Sequence, residues 1–225
     1  MSEKFQSHQL DIATLWESRD EKDWRWAEEV GYWKPIKPKN IALEMEMNTL
    51  DPAAVLKMDA HEWFDFLLHK YFLWKFTAPN RYATTTMHLF RQAKDPGIDW
   101  ILDVKELIFM WAETNDIRET LLAANRILGL GTAGASGLVA LLFPDKFGTV
   151  DQFVVKSLRK IPTLPWEQKI LLEHMNPERL TIKQAVFLIE IMRSKARTLN
   201  QIFFCNYWTP RKIDKILWSI DRENG

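Results

Sequence analysis

Two short stretches of the 225-residue chain hold residue types that could do chemistry. Gly129-Leu130-Gly131 stands between an amphipathic and an apolar segment, and two glycines one residue apart permit a tight turn with positive φ between antiparallel helices. The amides of such a turn, and those of Thr132 and Ala133 at the start of the next helix, point outward and can hold a phosphate oxygen. The same pattern also serves as a plain helix connector, and it is not a dinucleotide fingerprint, since no strand precedes it and no third glycine follows in place. Further on, Asp151 opens a segment whose Val154, Val155 and Leu158 share one face. Its carboxylate can cap a helix.

Other groupings lead less far. His61, Asp65 and His69 share a helical face, but a zinc-protease helix needs a histidine where Asp65 stands, so a surface stripe is expected. Asp20, Glu21, Asp23 and Glu28 read as solvated surface. Cys205 is the sole cysteine; it cannot form an internal disulfide or a cysteine-ligated cluster, which fits a reducing compartment. No nucleophilic triad can be assembled.

The elements that must position these groups read as all-α. Apolar residues recur at helical spacing and nowhere alternate at strand period. Asp20 is expected to cap a short helix through Trp24 and Ala27, before a Pro- and Lys-rich loop at 34–40. Asp51-Pro52 starts another helix, and Asp59 begins one running through Trp63, Phe64, Leu67, Tyr71 and Trp74, apolar around too much of its circumference for a surface helix. Helices are also expected near 80–93, 98–113, 116–127, 165–175, 182–198 and 210–221, the last capped by Thr209.

Composition excludes several classes. With 47% apolar residues and 30 basic against 30 acidic side chains, the chain is neither a disordered polyelectrolyte nor a basic coat protein. The polar start Met1–Gln6 and a longest apolar run of only Leu138–Phe143 predict no signal peptide and no membrane span. The zero net charge divides unevenly, −6 over residues 1–120 and +6 over 121–225. Arg193, Lys195, Arg197, Arg211, Lys212 and Lys215 are the expected polyanion face, with ordinary solvated helix faces as the alternative. Most of the 11 tryptophans must be core.

Taken together, Gly129, Leu130, Gly131, Ala135 and Val150-Asp151 resemble the helix-hairpin-helix DNA glycosylase superfamily (HhH-GPD), whose pattern is Leu-Pro-Gly-Val-Gly, an alanine shortly after, and Val-Asp at the head of the next helix. The likeness covers about 35 residues, retains the spacing from hairpin to aspartate, and departs from the pattern at Leu128, where proline is usual. It implies a two-lobed all-α fold with a DNA cleft, formed by residues 51–225 with the hairpin at 117–143, after a helical extension and loop at 1–50.

The resemblance further implies a flipped nucleotide, a backbone phosphate on the amides of Gly129 to Ala133, and Asp151 as the catalytic carboxylate. It implies no cofactor beyond a potassium or sodium ion on the carbonyls of Leu128 and Leu130. In family members that also cut the strand, a lysine serves as amine nucleophile; Ala133 occupies that position here, which implies a monofunctional enzyme unless the fold brings Lys146 or Lys156 into the pocket. Trp74, Lys75, Asn80, Arg81 and Tyr82 are the expected base pocket or wedge, and Arg211 and Lys212 further phosphate contacts. The expected partner is double-stranded DNA, bound by a cytoplasmic, nucleoid-associated monomer, and the expected product an abasic site. A bulky modified cytosine in phage DNA is one candidate base and a common damaged base another. A non-catalytic DNA-binding module and an interaction scaffold without DNA remain the alternatives.

Overall fold

A computed structural model describes residues 10–223, save the side chains of Asp221 and Glu223; the polar start Met1–Gln6 lies outside the described residues. No strand occurs among them, and fourteen α-helices follow one another: α1 (Ile12–Glu17), α2 (Glu21–Glu29), α3 (Ile41–Asn48), α4 (Pro52–Lys57), α5 (Ala60–Phe66), α6 (Phe72–Lys75), α7 (Pro79–Gln92), α8 (Ile98–Glu113), α9 (Ile117–Ala124), α10 (Gly131–Leu142), α11 (Gln152–Arg159), α12 (Trp166–Glu173), α13 (Ile182–Ile202) and α14 (Pro210–Glu223).

Local chemistry sets the helix starts. Asp11, Asp20, Asp51, Asp59, Asp116 and Asp151 each accept an amide of the turn they open, satisfying donors that have no partner within the helix. Thr209 accepts from Lys212 N at 3.3 Å, as its position before Pro210 predicts. Two differences from expectation concern elements that local patterns hide. α1 stands before Asp20, where no helix was expected. The helix from Asp59 is also not continuous to Trp74: a π turn, Leu67–Tyr71, joins α5 to α6. The wider turn buries Leu67, Leu68 and Tyr71 together, and Tyr71 OH donates to Gly134 O on α10. Tertiary contacts pay for that distortion; periodicity alone does not reveal it.

α10 lies at the centre. Every residue from Gly134 to Leu142 is buried, so the helix is apolar on all sides and is enclosed by α9, α13 and α14. Each fully buried leucine there contributes about 1.5–3 kcal/mol of hydrophobic free energy. α8 packs on α5 and α9, and α11 on α12 and α14. Residues 10–50 join the same core, with Trp24 edge-on to Trp208 at 6.0 Å and Tyr32 against Trp218 at 5.7 Å.

The expected polyanion face of the C-terminal half is largely consumed inside the fold. Arg211 and Lys215 are 7% and 8% exposed; the first is paired with Asp214 at 2.7 Å and the second with Glu28 at 2.5 Å. Lys195 donates to Trp16 O and lies over the rings of Trp16 and Trp24, while Arg193 donates to Lys146 O at 2.6 Å. Glu28, expected on the surface, is likewise buried. Sequence shows these charges but not the partners of Arg193, Lys195 and Lys215, which lie 47 to 187 residues away, and buried charges must be paired.

Candidate functional site

The hairpin turn between α9 and α10 is held from outside. Gln92 of α7 accepts from Leu128 N and donates to Arg126 O, both at 2.8 Å, and Thr85 Oγ1 donates to Gly129 O at 3.3 Å. Gly129 and Gly131 have φ of 91° and 59°, the left-handed values glycine adopts without strain. A Cβ on Gly129 would stand 3.0 Å from Thr85 Cα, so the close approach requires glycine as well. α10 starts with no side-chain cap, which leaves its first amides directed outward beside a cavity.

A second set of bonds ties the hairpin to Asp151. Ser136 Oγ, buried on α10, accepts from Val150 N at 3.0 Å and donates to Ala133 O at 3.1 Å. Thr149 N donates to Asp214 Oδ2 at 2.5 Å. Anchored from both sides, the extended run 149–151 delivers Asp151 to the head of α11. There a single oxygen, Oδ1, accepts from Phe153 N and Val154 N at 2.9 and 3.2 Å. The other oxygen carries no bond among the described residues. Asp151 is therefore both the expected cap and a carboxylate with one oxygen to spare, and it lines the cavity.

That cavity is about 1140 Å³, slightly above the range of roughly 300–1,000 Å³ usual for small-molecule sites. Trp74, Phe76, Tyr82, Phe153 and Trp218 supply aromatic wall. Its floor is a buried polar network. Arg211 Nη1 donates to Asp214 Oδ1 at 2.7 Å and Thr149 Oγ1 at 3.3 Å, and Nη2 lies 3.8 Å from Glu44. Glu44 also accepts from Trp74 Nε1 at 2.7 Å, Asn48 Nδ2 at 3.0 Å and Tyr32 OH. Burial pushes the Asp214 carboxyl up to about 6, against the opposing pull of Arg211, the Thr149 amide and Lys75. Burial works against the Arg211 cation too, but Asp214, Tyr32 and Glu44 outweigh it and raise its pKa. Lys75, on the wall, is held below the ordinary lysine value by desolvation, with Asp151 the largest opposing charge.

Exposed Lys37, Lys39, Arg81, Arg179 and Arg222 surround this interior, with Glu178 the exposed acid among the lining residues. The cationic surface beside the candidate site is thus a rim drawn from several segments, not the face expected from the C-terminal half.

Of the residues singled out from sequence, the fold brings Asp151, Leu130, Gly131, Thr132, Ala133, Trp74, Lys75, Arg81, Tyr82 and Arg211 to one cavity. Gly129 shapes the turn without lining it. Asn80 is exposed and bonds Arg81 N, and Lys212 sits over the Tyr207 ring, 2.8 Å from its centroid; neither lines the cavity. Arg211 does so as a buried partner of Asp214 rather than as an exposed phosphate contact. Trp218 is only partly buried and forms part of the wall. Lys146 donates to Ala112 O at 2.9 Å and Lys156 is exposed beside Gln152, so neither enters the cavity. Sequence reasoning passed over Glu44, Thr149, Asp214 and most of the rim. Asp214 had one readable signal, its place three residues after Arg211 on a helix. No group of three or more histidine, cysteine or acidic residues suited to a metal ion occurs among the described residues, and no helix there is long and apolar enough to cross a membrane. Compared with protein-family models, with curated proteins and with solved structures, the chain matches none.

Proposed function

We propose that the protein is a DNA N-glycosylase that rotates a modified base out of double-stranded DNA and releases it, leaving an abasic site. The observation that carries this reading is the placement of Asp151: its cap fixes the carboxylate at a cavity large enough for a nucleotide, beside outward amides of the α10 start. Release of the base develops positive charge on the sugar, which the Asp151 carboxylate stabilises while it orients water. The α10 amides take the neighbouring phosphate, and a potassium or sodium ion on the free side of the Leu128 and Leu130 carbonyls would strengthen that contact. Arg81, Lys39 and Arg179 on the rim meet further phosphates, a salt-dependent contribution.

The cavity also favours an enzyme over a purely DNA-binding module, which needs no space beside Asp151. Its size and aromatic walls suit a bulky modified cytosine, such as a glucosylated hydroxymethylcytosine of phage DNA, better than a small lesion. The test is incubation with glucosylated phage DNA and with unmodified DNA, followed by mild alkali, which breaks abasic sites. Alkali-sensitive breaks confined to the modified DNA are expected. Parallel arms carry uracil-containing and alkylated DNA: breaks in none of the four DNAs reject the glycosylase reading, and breaks only with uracil or alkylated bases reject the bulky substrate.

A further inference from the structure

Among the described residues, the buried side-chain nitrogens and oxygens that lack a hydrogen-bond partner are Nε and Nη2 of Arg211, Nε1 of Trp63 and of Trp208, and Oγ1 of Thr86. Of these residues, Arg211 alone lines the cavity. A buried donor without an acceptor is costly and rare in folded proteins, so the floor of the cavity is a place where an acceptor is missing.

The two nitrogens belong to one edge of the guanidinium. Nη1 is taken up by Asp214 Oδ1 at 2.7 Å and Thr149 Oγ1 at 3.3 Å, which restrains the group. Nε–H and the neighbouring Nη2–H are parallel by covalent geometry, the fork with which arginine grips two adjacent acceptors. Glu44 Oε1 lies 3.8 Å from Nη2, too far for a hydrogen bond, and Glu44 lines the same cavity. Two donors thus stand beside an acceptor. Trp74 adds an aromatic surface next to them: its ring centroid is 5.4 Å from Arg211 Cζ, and its Nε1 donates to Glu44 at 2.7 Å.

We propose that Arg211 is a specificity-determining residue whose Nε–Nη2 fork donates to O2 and N3 of a flipped cytosine, while Glu44 accepts from the amino group; this rests on the glycosylase reading above. The pairing edge of cytosine sets two acceptors side by side with a donor next to them. Uracil and thymine alternate acceptor, donor and acceptor, so their N3–H would face a donor of the fork. Guanine has adjacent acceptors at O6 and N7, but no amino group follows them on that edge. A substituent at C5 of cytosine leaves the recognised edge intact. Entry of the base has to part the side chains that cover the fork, a rotamer-scale movement.

The experiment measures equilibrium binding of the full chain, at fixed salt, to three duplexes. Each carries one 2′-fluoroarabino nucleotide, which resists base release, opposite cytosine, so that no test base is Watson–Crick paired. The bases are 5-hydroxymethylcytosine, its 3-deaza analogue, which lacks the N3 acceptor, and 5-hydroxymethyluracil. The wild-type chain is expected to bind the first about tenfold or more tighter than the other two, the scale of one good bidentate contact. Arg211→Lys keeps the charge without the fork and should lose most of that preference. A smaller preference in the wild-type chain, no binding to any duplex, or an undiminished preference in Arg211→Lys overturns the assignment. The 3-deaza comparison needs no variant to fold. A chain that releases bases but binds the three duplexes alike refutes the role of Arg211 alone. One that binds with the expected preference but releases no base refutes the glycosylase reading instead.

Discussion

At the junction of α4, α5 and α8, Asp59 caps α5 through the amides of His61 and Glu62, and Glu62 returns a bond to Asp59 N. Close by, Lys105, 2% exposed, donates to the carbonyls of Val55, Leu56 and Met58 at the end of α4, of which Val55 O also accepts from the cap amide of Met58. At the head of α11 the same two residue types recur: Asp151 is a cap that, like Asp59, bonds through Oδ1 alone, and the half-buried Lys75 lines the same cavity with no hydrogen-bond acceptor among the described residues. Burial lowers the pKa of both lysines. Residue type and capping role are therefore common to both regions. What separates them is the surroundings: Asp59 is exposed and Lys105 is bonded to three carbonyls of its own chain, whereas Asp151 and the half-buried Lys75 line one cavity.

The widest separation is expected from paired cap variants. Asn caps about as well as Asp, so Asp59→Asn and Asp151→Asn should melt close to the wild type. Base release should be unchanged in the first and lower by about 100- to 1,000-fold in the second, the scale of losing one aligned electrostatic group. Equal activity in the two variants would erase the distinction.

The lysines should part in the opposite sense. Lys105→Met takes the buried ammonium away from the carbonyls of Val55, Leu56 and Met58, and a loss on the order of 1–3 kcal/mol is expected in denaturant unfolding. Lys75→Met removes a cation that the folded state desolvates without a bonded partner, so its stability should equal or exceed that of the wild type. A Lys75 variant less stable than the Lys105 one would mean that Lys75 is structural.

A smaller effect is expected with pH. Asp214 has a folded pKa near 6 against an ordinary value of 3.8, so between those values the folded chain binds a proton that the unfolded chain does not. On its own this group favours folding more as pH falls through that window. Function should move the other way, because a neutral Asp214 releases its charge pairing with Arg211 and loosens the run that carries Asp151. A several-fold fall in base release from pH 7 to 5, with no inflection near 6 in Asp214→Asn, is the expected profile; an unchanged inflection in that variant would place the titration elsewhere.

Much of the frame was legible because it rests on short-range rules. Gly129 and Gly131 adopt the positive φ that their spacing suggested, and Val154, Val155 and Leu158 of α11 are buried as their pattern required. The caps at Asp20, Asp51, Asp59 and Asp151 needed only a short polar side chain before an apolar repeat. The cationic face was misplaced for the opposite reason: Arg211 and Lys215 count as surface charge until Glu44 and Glu28 are brought against them, and those contacts depend on how distant helices pack.

By itself, then, the order of residues determined an all-helical chain, its main breaks, the hairpin and the capping aspartate, since each depends on neighbours within about one or two turns of helix. Only the tertiary structure decided that Asp151 and Lys75 face one cavity while Asp59 and Lys105 close on their own backbone. That difference is set by which carbonyls and helices arrive from elsewhere in the chain, and whether a buried charge is satisfied by the fold or left for a ligand is a property of those long-range contacts.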